Sequence, residues 1–233
     1  LVGILDGDFI AFHVDGARNV AEAARDAGTD AVVHISAIGA DPASASRYGK
    51  SKGDGEAAVR AAFPAATVLR PSIVFGREDG FVNRFAGLIA MLPVVPIIRG
   101  AARFQPVYVG DVADAVAAVL TDAASHGGKT YELGGPEVIT MAALNRWIAD
   151  ATGRKRAFIA MPDAVAGAMA SLTGWLPGAP MTRDQWLMLQ SDNVVTGADG
   201  LKALGIAPTP LEAVADGWLV RYRRHGRFAE AKG

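Results

Sequence analysis

Ala31-Val32-Val33-His34-Ile35-Ser36, a helix-patterned run over 47–63, and Ala66-Thr67-Val68-Leu69-Arg70-Pro71 decide how the rest of this chain is read. The first and third segments are short, apolar and rich in β-branched residues, the pattern of strands buried on both faces. The run between them is long enough to cross back over a sheet. Strand, helix and strand at this spacing specify a parallel pair with a right-handed crossover. Upstream, Phe12, Val20, Ala23 and Ala24 lie on another helical segment that stops at Gly28. At the start, Leu1-Val2-Gly3-Ile4-Leu5 reads as a chain entered partway through a buried strand, so a further N-terminal segment is expected ahead of it.

Downstream the pattern loosens. A helix is expected over 81–92, then a proline-rich turn and a short strand over 105–109. Asp111 reads as the N-cap of a helix over 112–122. Thr130-Tyr131-Glu132-Leu133 reads as a strand closed by the turn Gly134-Gly135-Pro136. Thr140 caps a helix over 141–152 that stops at Gly153, and the remainder is read as helical. The predicted fold class is α/β: a Rossmann-type doubly wound parallel sheet, incomplete at the N-terminus, with a small mainly helical C-terminal lobe. The nucleotide-binding domain is expected over 1–135, with 71–105 contributing to a substrate-side lobe, and the helical lobe over 136–233.

Composition narrows the function. The 233 residues are 51% hydrophobic and 20% charged with a formal net charge of -1, so no global field recruits nucleic acid or anionic lipid. The absence of cysteine removes disulfides, thiolate metal sites and a cysteine nucleophile together. His13, His34, His126 and His225 have no metal-ligand spacing, and no metal is expected. The apolar runs over 88–98 and 164–176 fall short of the roughly 20 residues a membrane span needs. A cytoplasmic location is expected.

The chemistry-bearing pattern is Ser36 at the end of a buried strand, followed by Tyr48-Gly49-Lys50-Ser51-Lys52. Tyr48 and Lys52 are four apart and share one helix face. A tyrosine hydroxyl has a reference pKa of about 10 and is a poor base at neutral pH. A neighbouring ammonium is expected to favour the phenolate and lower that value. Ser36 stands where ligands of open α/β sheets sit, outside the carboxyl ends of the strands. A lone Y-x-x-x-K arises often by chance. Strand-Ser, helix-borne Tyr/Lys and strand-Arg70-Pro71 in that order are far rarer.

From Val14-Asp15-Gly16-Ala17-Arg18-Asn19-Val20 to Leu69-Arg70-Pro71-Ser72-Ile73-Val74-Phe75-Gly76 the chain resembles the extended short-chain dehydrogenase/reductase family. Within it, the chain is most similar to the atypical branch that contains the nucleotide-binding accessory subunit of respiratory complex I. His34-Ile35-Ser36-Ala37-Ile38-Gly39-Ala40-Asp41, Gly55-Glu56, Asn83-Arg84-Phe85 and Gln105-Pro106-Val107-Tyr108-Val109-Gly110-Asp111-Val112 carry this closer match. Phe75-Gly76-Arg77-Glu78-Asp79, Thr182-Arg183-Asp184-Gln185 and Asp192-Asn193-Val194-Val195 also fit, so the similarity covers essentially the whole chain.

The resemblance implies an active-site triad of Ser36, Tyr48 and Lys52. It implies that Leu69, Arg70, Pro71, Ser72 and Ile73 line a nicotinamide largely through backbone groups, and that Val2 and Gly3 border the adenosine side. Asn83 and Gln105 would face the substrate cleft. The implied cofactor is NADP or NAD, the implied role an accessory or assembly subunit with complex I subunits as partners. The alternative is a free oxidoreductase or epimerase/dehydratase; a third is a nucleotide-regulated binding module. Two departures bear on these roles. The family's G-x-x-G-x-x-G phosphate loop and the residue that selects NAD over NADP are both absent from the sequence. A chain without those strands leaves a parallel-sheet edge open. The complex I branch keeps the nucleotide but is not known to need it for turnover, so the resemblance also allows the triad here to be a structural clamp.

The remaining candidates read as structure. Asp111 with Asp114 is an N-cap and a solvated first turn. His34 reads as a core histidine with its hydrogen bonds satisfied. Leu211, Val214, Ala215, Trp218, Leu219 and Tyr222 form one apolar stripe that ends in Arg221, Arg223, Arg224, His225 and Arg227. That pattern fits a docked terminal helix, or a basic contact with an acidic partner or the cytoplasmic face of the inner membrane.

Overall fold

The computed structural model describes residues 8–176, 179, 181–224 and 226. The chain forms two compact units that alternate along the sequence. The first unit begins with α1 (Asp8–Ile10), a π-helical turn (Ala11–Gly16) and α2 (Ala17–Asp26). β1 (Val33–Ile35), α3 (Arg47–Ala62) and β2 (Thr67–Pro71) follow. The second unit opens with β3 (Val74–Phe75), α4 (Val82–Met91), β4 (Val94–Ile98), β5 (Arg103–Phe104) and β6 (Val107–Tyr108). The chain returns to the first for α5 (Val109–Thr121), α6 (Ala123–His126) and β7 (Thr130–Leu133). It goes back to the second for β8 (Ile139–Thr140), α7 (Met141–Ala151), β9 (Ala157–Met161), α8 (Asp163–Thr173) and α9 (Arg183–Met188). Finally α10 (Gly200–Ala203) belongs to the first unit, and α11 (Leu211–Leu219) with a 3-10 turn (Val220–Tyr222) to the second.

The first unit is a parallel sheet in the order β1-β2-β7, with Val33 opposite Thr67 and Leu69 opposite Tyr131. β2 is paired on both sides, and Val68 and Leu69 are fully buried, as its continuous apolar run requires. Among the described residues β1 is an edge of this sheet, and Ile35 is 41% exposed rather than buried on both faces. α3 starts at Ser46, whose hydroxyl accepts the N–H of Gly49 at 3.2 Å. Three glycines inside this helix would cost about 1 kcal/mol each against alanine; all three are closely approached, two of them by backbone. A Cβ on Gly53 would strike the backbone at Asp41 and Pro42, and one on Gly55 would overlap the carbonyl oxygen of His13.

The segment Asn193–Pro208 belongs to this same unit, although everything after 136 reads from sequence as one lobe. It is tied to the strand ends by side chains. Ser72 donates through its hydroxyl to Asn193 Oδ1 at 2.6 Å, and Glu132 accepts the Thr196 N–H at 2.8 Å.

The second unit is mixed. β3 pairs β6 and β4 pairs β9, both parallel, while β5 and β8 are antiparallel. Its core holds Phe75, Ile89, Val95, Leu144, Ile148 and Leu219, with α4 packed on α7. β4 and β9 fall in stretches read as turn and helix. Pro93 and Pro96 hide the alternation in which Val95 and Ile97 are buried, and the partner strand lies some 60 residues away. Thr140 caps α7 as expected, accepting the Ala143 N–H at 3.1 Å. Asp111 does not cap its helix: α5 begins at Val109 directly after β6, so Asp111 sits inside the first turn and is buried. Phe12 and Val20 are exposed, and the inward positions of their segment are Ala17 and Ala21. The terminal stripe is docked, with Trp218 and Leu219 buried. Arg221 and Arg223 donate to the backbone at Trp218 and Ala151. His225 and Arg227 lie outside the described residues.

Candidate functional site

Ser36 follows β1 immediately, at its carboxyl end. Its N–H donates to the carbonyl of Leu69 at 2.7 Å, which extends the β1–β2 pairing by one residue. The residue is 4% exposed, yet its hydroxyl has no hydrogen-bond partner. A buried orphan hydroxyl costs about 1–3 kcal/mol and is uncommon in a folded chain.

α3 brings the other two residues of the triad to this end of the sheet. Lys52 donates from Nζ to the carbonyl oxygen of Ile35 at 2.8 Å, so its ammonium stands at the residue next to Ser36. Desolvation lowers the Lys52 pKa, with Glu56 pulling the other way. Tyr48 lies one turn earlier in α3, its ring edge-on to His13 at 5.6 Å and to Phe9 at 6.0 Å. Burial raises its phenol pKa. The expected depression of Tyr48 by Lys52 is therefore reversed: the ammonium is drawn to a strand-end carbonyl, and loss of water around the phenol dominates.

The stretch after β2 is occupied as framework. The carbonyls of Leu69 and Pro71 accept the N–H groups of Ser36 and Ile38, and Ser72 N–H donates to Leu133. Arg70 is not free: Nε and Nη2 reach the two oxygens of Glu56 at 2.8 and 2.7 Å, a bidentate pair joining β2 to α3. Ile73 begins the second unit, where its carbonyl accepts the Val107 N–H. Asn83 and Gln105 also belong there. Asn83 donates to the Arg77 and Asp79 carbonyls and accepts from Tyr222, while Gln105 donates to the Gly135 carbonyl at 2.8 Å. Val2 and Gly3 lie outside the described residues.

Several residues around the triad escaped the sequence reading. His13 Nδ1 lies 2.9 Å from Ser51 Oγ, and that hydroxyl donates to the Tyr48 carbonyl at 2.9 Å. Glu56 and Asn193 fall in quoted motifs, but only the fold reveals their partners. His34 is not the satisfied core histidine expected: its Nε2 is buried without a partner. Burial and the Lys52 charge lower its pKa to about 4. A depression lined by Asp30, Pro64, Ala65 and Gly127 precedes β1, β2 and β7, at the amino ends of the strands. Ligands of this architecture bind at the opposite end. No cluster of metal-ligating side chains exists among the described residues.

A family model described as RmlD substrate binding domain matches residues 10–171. Over 221 residues the chain is 35% identical to NADH dehydrogenase (ubiquinone) 1 alpha subcomplex subunit 9, mitochondrial, of Mus musculus. That match covers 94% of this chain and 58% of the mouse protein, so the chain spans little more than half of this relative's length. DesIV, a dTDP-glucose 4,6-dehydratase of Streptomyces venezuelae with NAD and TYD bound, superposes with a TM-score of 0.68 at 19% identity, over 95% of this chain and 68% of that one. The NADPH-dependent quinone oxidoreductase QOR2 of Escherichia coli, complexed with NADPH, does so at 0.68 and 23% identity, over 85% and 69%. These likenesses fix the fold as α/β and Rossmann-type. The chain belongs to the RmlD substrate binding domain family, within the extended short-chain dehydrogenases/reductases. Its motifs had pointed to that same superfamily.

Proposed function

We propose that this chain is part of a nicotinamide-dinucleotide-binding protein that serves respiratory complex I as an accessory or assembly subunit. The observation that carries the proposal is the 35% identity to alpha subcomplex subunit 9, sustained over 94% of the chain. The site is compatible with the nucleotide. Ser36 keeps a buried hydroxyl without a partner, and Lys52 places its ammonium on the carbonyl of the preceding residue, Ile35, at the carboxyl end of β1. Lys52 and Tyr48 would hold the ribose end of NADP or NAD, and the backbone over 69–72 would border the ring. When bound, the nucleotide supplies hydride chemistry. The high phenol pKa of Tyr48 makes it a poor base and favours a clamp over a catalyst.

A second reading, a free oxidoreductase or epimerase/dehydratase, draws on the orphan Ser36 hydroxyl, which is suited to orienting a substrate carbonyl. One preparation separates the two. Affinity purification of the tagged full-length protein from native membranes should recover complex I subunits in stoichiometric amount, with a nicotinamide nucleotide released on denaturation. Recovery of the protein alone would overturn the accessory role. Tyr48→Phe should leave both assembly and bound nucleotide nearly intact. Turnover abolished by that substitution would establish the enzyme instead.

A further inference from the structure

The segment Asn193–Pro208 returns to the first unit late in the chain and is built closely onto β7. Asp199 forms a parallel bridge with Glu132, and a Cβ on Gly200 would overlap the Glu132 carbonyl oxygen. The Glu132 carboxylate accepts the Thr196 N–H at 2.8 Å and the Thr196 hydroxyl at 3.1 Å. Asn193 opens this anchored segment.

At Asn193 the segment reaches two strand ends. The hydroxyl of Ser72, a residue only 4% exposed, shares its proton between Asn193 Oδ1 at 2.6 Å and the Asn193 carbonyl at 2.9 Å. Asn193 Nδ2 faces the Ile38 carbonyl at 3.5 Å, a longer and weaker contact. That carbonyl can only accept, so a reversed amide would set oxygen against oxygen, and the orientation of the side chain follows. Ser72 lies directly after β2, and Ile38 lies in the stretch that leaves β1. The same stretch carries Ser36. On the β2 side it is held by the N–H groups of Ser36 and Ile38, which donate to the carbonyls of Leu69 and Pro71 at 2.7 and 3.0 Å. Asn193 adds a hold from a segment 155 residues further on. Between these holds the Ser36 hydroxyl is buried without a partner, a state uncommon in a folded chain.

We infer that Asn193 is a positioning residue of the nucleotide site, tying the ends of β1 and β2 together and so setting where Ser36 and the backbone at Ser72 meet the nicotinamide. The inference rests on the reading of this end of the sheet as the nucleotide site. Asn193 acts through Ser72 and Ile38, so its effect falls on the nicotinamide end of the dinucleotide and spares the adenosine end.

That asymmetry is what the test reads. Calorimetric titration of the full-length protein, freed of retained nucleotide, compares NADPH with 2′-phospho-ADP-ribose, or NADH with ADP-ribose where that is the form bound. Within each pair only the nicotinamide differs. Asn193→Ala should weaken dinucleotide binding about tenfold, the worth of roughly one hydrogen bond, and leave the ADP-ribose partner within about twofold of wild type. Ser72→Ala, which removes one oxygen from the same contact, should shift the ratio in the same direction. It carries the test by itself if Asn193→Ala fails to fold, which thermal melts report. A folded variant that loses both ligands equally, or neither, makes Asn193 plain framework and overturns the inference. A wild type that binds both members of a pair equally overturns it too, since the nicotinamide then makes no contact to lose. A wild type that binds neither overturns the nucleotide reading itself, a result distinct from the other two.

Discussion

The two units bury different kinds of side chain. Of the nine buried polar or charged residues among those described, Ser36, Ser46, Ser51, Glu56, Thr67, Ser72 and Asp111 lie in the first unit, against Asn145 and Thr152 in the second. The second unit is centred on Phe75, Ile89, Leu144, Ile148 and Leu219, with no ionisable group in that core. Buried polar groups cost free energy unless each finds a partner. Two are left without one in each unit among the described residues: His34 Nε2 and Ser36 Oγ in the first, Asn145 Oδ1 and Trp218 Nε1 in the second. What sets the first unit apart is its larger share of buried polar side chains and that its two orphans lie on and directly after β1, where Lys52 reaches the Ile35 carbonyl. The comparison teaches that cohesion and chemistry are largely divided between the two units.

That division breaks most visibly in the second unit. Leu144 is fully buried between the helices of its core. Leu144→Ala should cost about 2–5 kcal/mol through lost transfer and cavity terms. Denaturant unfolding measures the loss, and native-state hydrogen exchange should quicken in α4 and α7 while β1 and β2 stay protected. Equal loosening of β1 and β2 would mean that the units unfold as one and that the contrast has no energetic content.

In the first unit the largest single effect should come from the ion pair. Glu56 is 5% exposed and holds Arg70 through two hydrogen bonds. Glu56→Gln keeps the shape and leaves the guanidinium without its counter-charge. Removing one partner of a buried pair costs about 3–5 kcal/mol, and the partial solvation of Arg70 brings this to roughly 2. The loss should weaken exchange protection in α3 and β2. A Glu56→Gln protein as stable as wild type would mean that the pair serves orientation only.

The same contrast explains what was legible in the sequence. β2, β7 and α3 were readable because their signals are local: a β-branched run, a turn after Leu133, and a helix-patterned run over 47–63. Ser36, Tyr48 and Lys52 could be singled out because they follow in fixed order over 36–52, one directly after a strand and two on one helix. β4 and β9 were not, because a two-stranded parallel pair draws on segments far apart and Pro96 masks the alternation. His13 was invisible for a related reason. Its contacts depend on a π turn seated against Gly55 of a helix that begins some 30 residues later, and that turn leaves no periodic trace. Asp111 failed because the helix starts without a loop, so the capping residue of the pattern is already inside it.

The subtlest effect near neutrality concerns pH. His34 ionises at about 4 in the folded chain, against an ordinary value of 6.5, because burial and then Lys52 oppose its charge. The folded state therefore refuses a proton that the unfolded chain accepts. Stability from this residue is fully present above about pH 6.5 and is lost progressively as the pH falls toward 4. His13 is lowered too and acts in the same direction. Denaturation midpoints taken at a series of pH values across this window should decline for the wild type. They should decline less for His34→Gln, which cannot be protonated. Leu144→Ala should run parallel to the wild type across the series, since the core around it holds nothing that titrates. A wild-type midpoint flat across the window would place the orphan nitrogen in contact with water and remove His34 from the buried polar set on which the contrast between the units rests.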